Sequence, residues 1–149
     1  MWRALLLETM LPVPAKERWI RLIVRVLGKL CSTVRKQNLP EPVDVIVCDA
    51  SFISLAKVLE APLKLARPGA KLIALIKPQF EAGRQEVGKG GVVRDPAVHE
   101  RVCAEAKVWV ESQGWTVLGI TPSPITGPEG NVEFLLGAEK TGDSSGTWG

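Results

Sequence analysis

The run Val43-Asp44-Val45-Ile46-Val47-Cys48-Asp49 constrains this chain more than any other stretch. β-Branched residues are stiff at χ1 and suit a pleated surface, and a nearly unbroken apolar run closed by an acid is how a strand buried on both faces of a parallel sheet reads. Asn38-Leu39-Pro40-Glu41-Pro42 sets that strand apart from what precedes it. Two prolines forbid helix continuation and push their predecessors into extended conformations.

The pattern after the strand is that of a βαβ unit. A helix is expected next, capped by Asp49 or Ser51, with Leu55, Val58, Leu59, Leu63 and Leu65 on its inner face and Arg67-Pro68-Gly69 closing it. A second apolar strand follows over 70–77, ended by Pro78. Residues 79–95 form a long loop with Gly83, Gly88, Gly90 and Gly91, a length that in a compact domain is usually functional. Pro96 suits the first turn of a helix running to Gln113 and stopped by Gly114. A third strand is expected over 115–121 and a fourth over 131–138, joined by a Pro/Gly-rich turn region over 122–130. That connection is too short for a helical crossover, so the last two strands should be antiparallel. Residues 141–149 carry too few apolar groups to pack and are expected to be a disordered tail.

Before the prolines, Trp19, Ile20, Ile23, Val24, Val26, Leu27 and Leu30 alternate with Arg18, Arg21, Arg25 and Lys29 at roughly helical spacing, which predicts a basic amphipathic helix over 15–37. The charge is uneven in the same way: residues 1–43 hold eight Lys/Arg against three Glu, while the remainder holds eleven against thirteen acids. A basic segment on a near-neutral domain fits an anionic partner or a solvated helix face.

Several function classes drop out. No run of about 18 apolar residues could span a bilayer, and Glu8, Pro12 and Pro14 interrupt any signal-peptide pattern. Cys31, Cys48 and Cys103 are odd in number and unpaired in spacing, which fits a reducing cytoplasm and neither a disulfide framework nor a zinc cluster. With one histidine, His99, no metal site is expected. Gly88-Lys89-Gly90-Gly91 lacks both the Ser/Thr and the preceding strand of a phosphate loop. Ser51, Ser54 and Ser123 have no His/Asp company for nucleophilic catalysis.

Three charges remain. If the last strand runs antiparallel, its start lies at the carboxyl edge of the first two strands, and Asp49, Lys77 and Glu133 converge where open α/β sheets bind ligands. Asp49 could instead be a cap and Lys77 a lysine snorkelling to water. Glu133, between Val132 and Phe134, needs a partner, and Lys77 is the natural cation.

Four ordered segments carry a resemblance: Val47-Cys48-Asp49-Ala50-Ser51-Phe52-Ile53-Ser54, Ile76-Lys77-Pro78-Gln79-Phe80-Glu81-Ala82-Gly83-Arg84, Val87-Gly88-Lys89-Gly90-Gly91-Val92-Val93-Arg94-Asp95-Pro96, and the stretch from Pro122-Ser123-Pro124-Ile125-Thr126-Gly127 through Pro128-Glu129-Gly130-Asn131-Val132-Glu133-Phe134. Together they resemble the TlyA (hemolysin A) family of ribosomal RNA 2′-O-methyltransferases, which carry an FtsJ-like catalytic domain. The resemblance covers 39–140, with 1–38 a divergent basic segment.

The resemblance implies an α/β fold, a partial Rossmann-like S-adenosylmethionine-dependent methyltransferase sheet with an antiparallel last strand. It implies S-adenosylmethionine as cofactor, a Lys-Asp-Lys-Glu tetrad whose last three members fall on Asp49, Lys77 and Glu133, and Asp49 at the cofactor site. The first lysine and the glycine-rich cofactor loop find no matching positions, so the chain corresponds to the C-terminal part of the catalytic domain, weakly active or inactive by itself. Arg84, Lys89 and Arg94 on the long loop suit RNA phosphates. The expected partner is ribosomal RNA or a ribosomal subunit. The alternative is a non-catalytic RNA- or protein-binding remnant; hemolysin-like membrane activity is the weakest option. Half a doubly wound sheet would also leave an edge strand open to self-association.

Overall fold

The computed structural model describes residues 22–24 and 42–142. Five strands, β1 (Leu22–Val24), β2 (Val43–Cys48), β3 (Ala66–Ile76), β4 (Trp115–Pro122) and β5 (Phe134–Lys140), form one sheet in the order β1-β2-β3-β5-β4. The first three are parallel, and β5 runs antiparallel to both β3 and β4. Helices α1 (Leu55–Leu63), α2 (Pro78–Glu81) and α3 (Pro96–Ser112) lie in the connections. The architecture is thus the expected α/β sheet with its last strand antiparallel.

Among the described residues the core lies on one face of the sheet. Ile46 and Cys48 of β2, Leu72, Ala74 and Ile76 of β3, and Leu136 and Ala138 of β5 are buried with Leu55, Val58 and Leu59 of α1 and Val98, Val102 and Val110 of α3. Each fully buried leucine or valine contributes about 1.5–3 kcal/mol relative to exposure. The alternate residues Val45, Val47, Ile73 and Leu75 are only half-buried. Burial of β2 therefore alternates, where its unbroken apolar run predicts two equally buried faces.

Two other expectations are corrected. Leu22–Val24 is a strand, with Leu22, Ile23 and Val24 opposite Ile46, Val47 and Cys48, and not part of a helix. Helical spacing cannot by itself outweigh a Val-rich neighbouring edge whose backbone groups need partners. The other residues of the expected 15–37 helix lie outside the described ones. The second strand begins at Ala66, four residues before the expected start, because Val43 already pairs with Ala66 across a register irregularity that absorbs Arg67-Pro68-Gly69. In the tail, Thr141 is fixed by its backbone N–H to Gly114 O at 3.0 Å, and 143–149 lie outside the described residues.

Helix α3 begins and ends as its sequence dictates. Asp95 caps it by accepting the Ala97 N–H at 2.9 Å, and Pro96 occupies the first turn, where its missing N–H costs nothing. At the other end Gly114 takes a φ of +82° that a side chain would disfavour. Trp115, next in sequence, is buried in the core.

Candidate active site

The site forms where β2 and β3 end and β5 begins. Ile76 pairs with Phe134 at the last rung of β3 and β5, so Lys77 and Glu133 each stand one residue past that rung. Cys48 pairs with Ala74, which brings Asp49 to the same edge. Antiparallel β5 is thus what carries a carboxylate from the far end of the chain to the ends of two parallel strands.

Lys77 is 8% exposed. Its Nζ donates to Asp49 Oδ1 at 2.7 Å and to Ser51 Oγ at 3.2 Å. A buried ammonium is tolerated when a carboxylate and further hydrogen bonds replace its water. The expected cap role of Asp49 is not what the structure contains: the N-cap of α1 is Ser54, without a side-chain cap bond. The Leu55 N–H at that helix start instead donates to Glu81 Oε1 at 2.6 Å, from the end of α2. Burial pushes the Glu81 carboxyl above its ordinary range, opposed by that backbone hydrogen bond and reinforced by the negative charge of Glu105.

Glu133 is 6% exposed and lies just before β5. Its partner is the Gln79 amide, Nε2 to Oε1 at 3.0 Å, and not the Lys77 ammonium that charge matching in the sequence suggests. Lys77 is already held from the other side by Asp49, and α2 turns Gln79 toward β5. Gln79 Oε1 is buried without a hydrogen-bond partner. Gly127 closes the niche: a methyl group there would overlap Glu133 Oε1 and stand 2.8 Å from its Cδ.

Phe52, three residues past Asp49, is 90% exposed and has a φ of +65°. A bulky residue in the left-handed region is strained, and its ring packs against Phe80, with centroids 4.9 Å apart. Sequence reasoning missed Phe52, Gln79 and Asn131. The paired aromatics and the amide of Gln79 lie within the quoted motifs, but their contacts run across 28 and 54 residues.

Arg84, Lys89 and Arg94 are exposed on the loop between α2 and α3, with no ion-pair partner among the described residues. Arg101 differs: it binds Glu86 at 2.6 Å and Glu105 at 2.9 Å and anchors the loop to α3. The Glu86 carboxyl, held by the Gly83 N–H and by Arg101, sits below its usual range. His99 Nε2 lies 2.9 Å from Val93 O; a carbonyl only accepts, so Nε2 carries the proton. Cys48 is buried and Cys103 half-buried, and burial pushes the Cys103 thiol up to about 11, out of the reactive range. Among the described residues no cluster could hold a metal ion and no helix is long and apolar enough to cross a membrane.

Comparison with known proteins shows the family. The chain is 46% identical over 94 residues to the 16S/23S rRNA (cytidine-2′-O)-methyltransferase TlyA of Mycobacterium tuberculosis, covering 63% of this chain and 35% of that one. It is 41% identical over 91 residues to Hemolysin A of Brachyspira hyodysenteriae, 61% of this chain and 38% of the other. A crystal structure of a candidate hemolysin from Lactococcus lactis superposes with a TM-score of 0.69 at 37% identity, covering 74% of this chain and 53% of that one. The chain spans little more than a third of the two curated relatives. The FtsJ-like methyltransferase profile matches residues 10–140, so the likeness reaches well into the first 38 residues that the motifs leave aside. With nearly its whole length matched, and with TlyA and hemolysin A as its relatives, the chain belongs to the FtsJ-like methyltransferase family.

Proposed function

We propose that this chain carries the reacting edge of an S-adenosylmethionine-dependent ribosomal RNA 2′-O-methyltransferase of the TlyA type, acting on ribosomes in the cytoplasm. The observation that carries the reading is the buried Lys77 ammonium, fixed between Asp49 and Ser51 at the sheet edge that also holds Glu133.

The donor set suits the cofactor. Two carboxylates and one ammonium leave the edge with a formal charge of minus one, which favours a cationic sulfonium, and Gln79 Oε1 is an orphaned acceptor that a hydroxyl donor would satisfy. When bound, S-adenosylmethionine supplies an electrophilic methyl group. Asp49, at the end of β2, is the residue that would face it. The chain's own residues do the rest. Lys77 Nζ, held in place by Asp49 and Ser51, would orient the ribose 2′-hydroxyl, and once its ammonium has passed one proton to solvent the freed lone pair would take the hydroxyl proton. Glu133, steadied by Gln79 and confined by Gly127, keeps a second acceptor beside the reacting oxygen.

Arg84, Lys89 and Arg94 meet phosphates of the RNA, where exposed cations on a glycine-rich backbone can follow an irregular strand. Exposed Phe52 offers a ring on which a splayed base can stack. The test is transfer of labelled methyl from S-adenosylmethionine to purified 16S and 23S rRNA by the 149-residue chain, with titration calorimetry of the cofactor alongside. Transfer lost in Lys77→Ala supports the reading. Cofactor-independent RNA binding without transfer would favour a non-catalytic binding module, and transfer that survives Lys77→Ala would overturn the assignment of the base.

A further inference from the structure

Asn131 is 3% exposed and is neither at the sheet edge nor at the surface. Its Oδ1 accepts the Val93 N–H at 3.1 Å, while its Nδ2 donates to Gly91 O and to Pro128 O, each at 3.0 Å. One side chain therefore ties together two loops nearly 40 residues apart: the basic loop with Lys89 and Arg94, and the turn that leads into Glu133. The Val93 peptide is held at both ends, its N–H by Asn131 and its C=O by His99 Nε2 at 2.9 Å. Gly90 and Gly91, with φ of +79° and +76°, let the loop double back so that Gly88 N–H reaches Val92 O at 2.9 Å. On the other side, Gly127 N–H donates to Asn131 O at 2.8 Å, which sets the glycine whose missing side chain makes room for Glu133.

The donor and acceptor pattern leaves no freedom. A carbonyl accepts and an N–H donates, so the amide is fixed in one orientation, and no isosteric side chain reproduces it. Leucine offers neither group, and aspartate would turn a second acceptor toward two carbonyls. A surface loop that needed only solvation would have no use for a buried amide at its base.

We infer that Asn131 is a positioning residue that locks the basic loop to the Glu133 turn, so that an RNA strand gripped by Lys89 and Arg94 is held in register with the reacting edge. The inference rests on the methyltransferase reading for what the register serves, but the lock itself is a property of the free chain.

Amide hydrogen exchange of the full chain tests the lock without reference to activity. In the wild-type protein Val93 should exchange slowly, whereas Lys89 and Gly90, whose N–H groups no side chain holds, should exchange freely. Asn131→Ala removes all three side-chain hydrogen bonds and Asn131→Asp the two donated by Nδ2; in both, exchange at Val93 and its neighbours should rise about tenfold or more, with the amides of β3 unchanged. Affinity for purified ribosomal RNA should then fall about fivefold while affinity for S-adenosylmethionine stays within about twofold, a split that general destabilisation would not give. Unchanged exchange at Val93 in both variants would overturn the inference, as would an equal loss of RNA and cofactor affinity. Global unfolding of both variants would assign Asn131 to overall stability and overturn it too. If the chain proves to bind no cofactor while the exchange result holds, the lock stands and only the methyltransferase reading fails.

Discussion

Gly127 and Glu133 approach so closely that a Cβ at position 127 would lie 2.8 Å from Glu133 Cδ and overlap its Oε1, so a side chain there would have to push the Glu133 carboxylate aside. The φ of Gly127 is an ordinary −74°, so the cost of a side chain there is that of displacing the Glu133 carboxylate and not one of backbone conformation.

The first prediction follows from that contact. Gly127→Ala should destabilise the protein by about 1–3 kcal/mol, the usual cost of overpacking a filled site. Most of that cost should vanish when Glu133 is also replaced by Ala, because the second substitution removes the atoms that clash. Urea unfolding of the two single variants and the double variant measures the coupling. Additive losses would show that Glu133 is not what excludes a side chain at 127.

Lys77 and Asp49 give the second. Removing Asp49 leaves a buried ammonium with, among the described residues, the Ser51 hydroxyl alone, so Asp49→Ala should cost about 2–4 kcal/mol, somewhat below the loss of a fully buried pair because the Asp49 side chain is 33% exposed. Lys77→Met in the same chain should recover much of it by removing the stranded charge. Both variants should be inactive in methyl transfer, so stability and activity separate in the double variant. A double variant no more stable than Asp49→Ala would refute the charge argument.

Much of this edge is legible in the sequence. The apolar runs of β2 and β3 and the short connection before β5 suffice to bring Asp49, Lys77 and Glu133 to one edge, because a parallel sheet leaves few topologies open. What is not legible is partner choice. Charge matching pairs Glu133 with Lys77, but the turn of α2 places Gln79 there instead, and nothing local to position 79 signals a contact 54 residues away. Asn131 reads as the first residue of the last strand, which in fact begins at Phe134, and its role emerges only when two loops meet. At Leu22–Val24, β-branched Ile23 and Val24 fit either period, and pairing with β2 decides for a strand.

The third prediction concerns pH. Burial raises the Glu81 carboxyl above its ordinary value of 4.5, so the folded protein holds that proton more tightly than the unfolded chain does. Its stabilising contribution is complete below that value and is lost as pH rises through the raised folded value. Glu81→Gln keeps an oxygen for the Leu55 N–H and cannot ionise. The variant should match the wild type in urea unfolding near about pH 4 and exceed it at about pH 7. A variant less stable than wild type at the higher pH would mean that the charged carboxylate strengthens the helix start more than its burial costs.

Phe52 gives the fourth. Relief of a left-handed φ on Phe52→Gly is worth about 1–2 kcal/mol, while the lost ring contact with Phe80 and the added freedom of glycine cost a similar amount. The melting temperature should therefore hardly move. Affinity for ribosomal RNA should fall about tenfold, in line with about 1–3 kcal/mol per stacked base. Unchanged affinity would leave the exposed, strained ring without a role in RNA contact.

The last prediction separates electrostatics from chemistry. Each phosphate contact to single-stranded nucleic acid contributes about −0.7 to the slope of log Kobs against log salt, so the loop cations Arg84, Lys89 and Arg94 together should contribute about −2. Replacing all three by Ala should flatten the slope by that amount and weaken binding most at low salt. Stability should hardly change, because none of the three holds an ion pair among the described residues. Arg101→Ala is the contrasting case: this arginine is spent on Glu86 and Glu105, so its loss should loosen the loop and leave the slope nearly unchanged. If the slope falls equally in both, net charge and not the loop's three free cations governs RNA binding. If it falls in neither, the anionic partner meets another face of the protein.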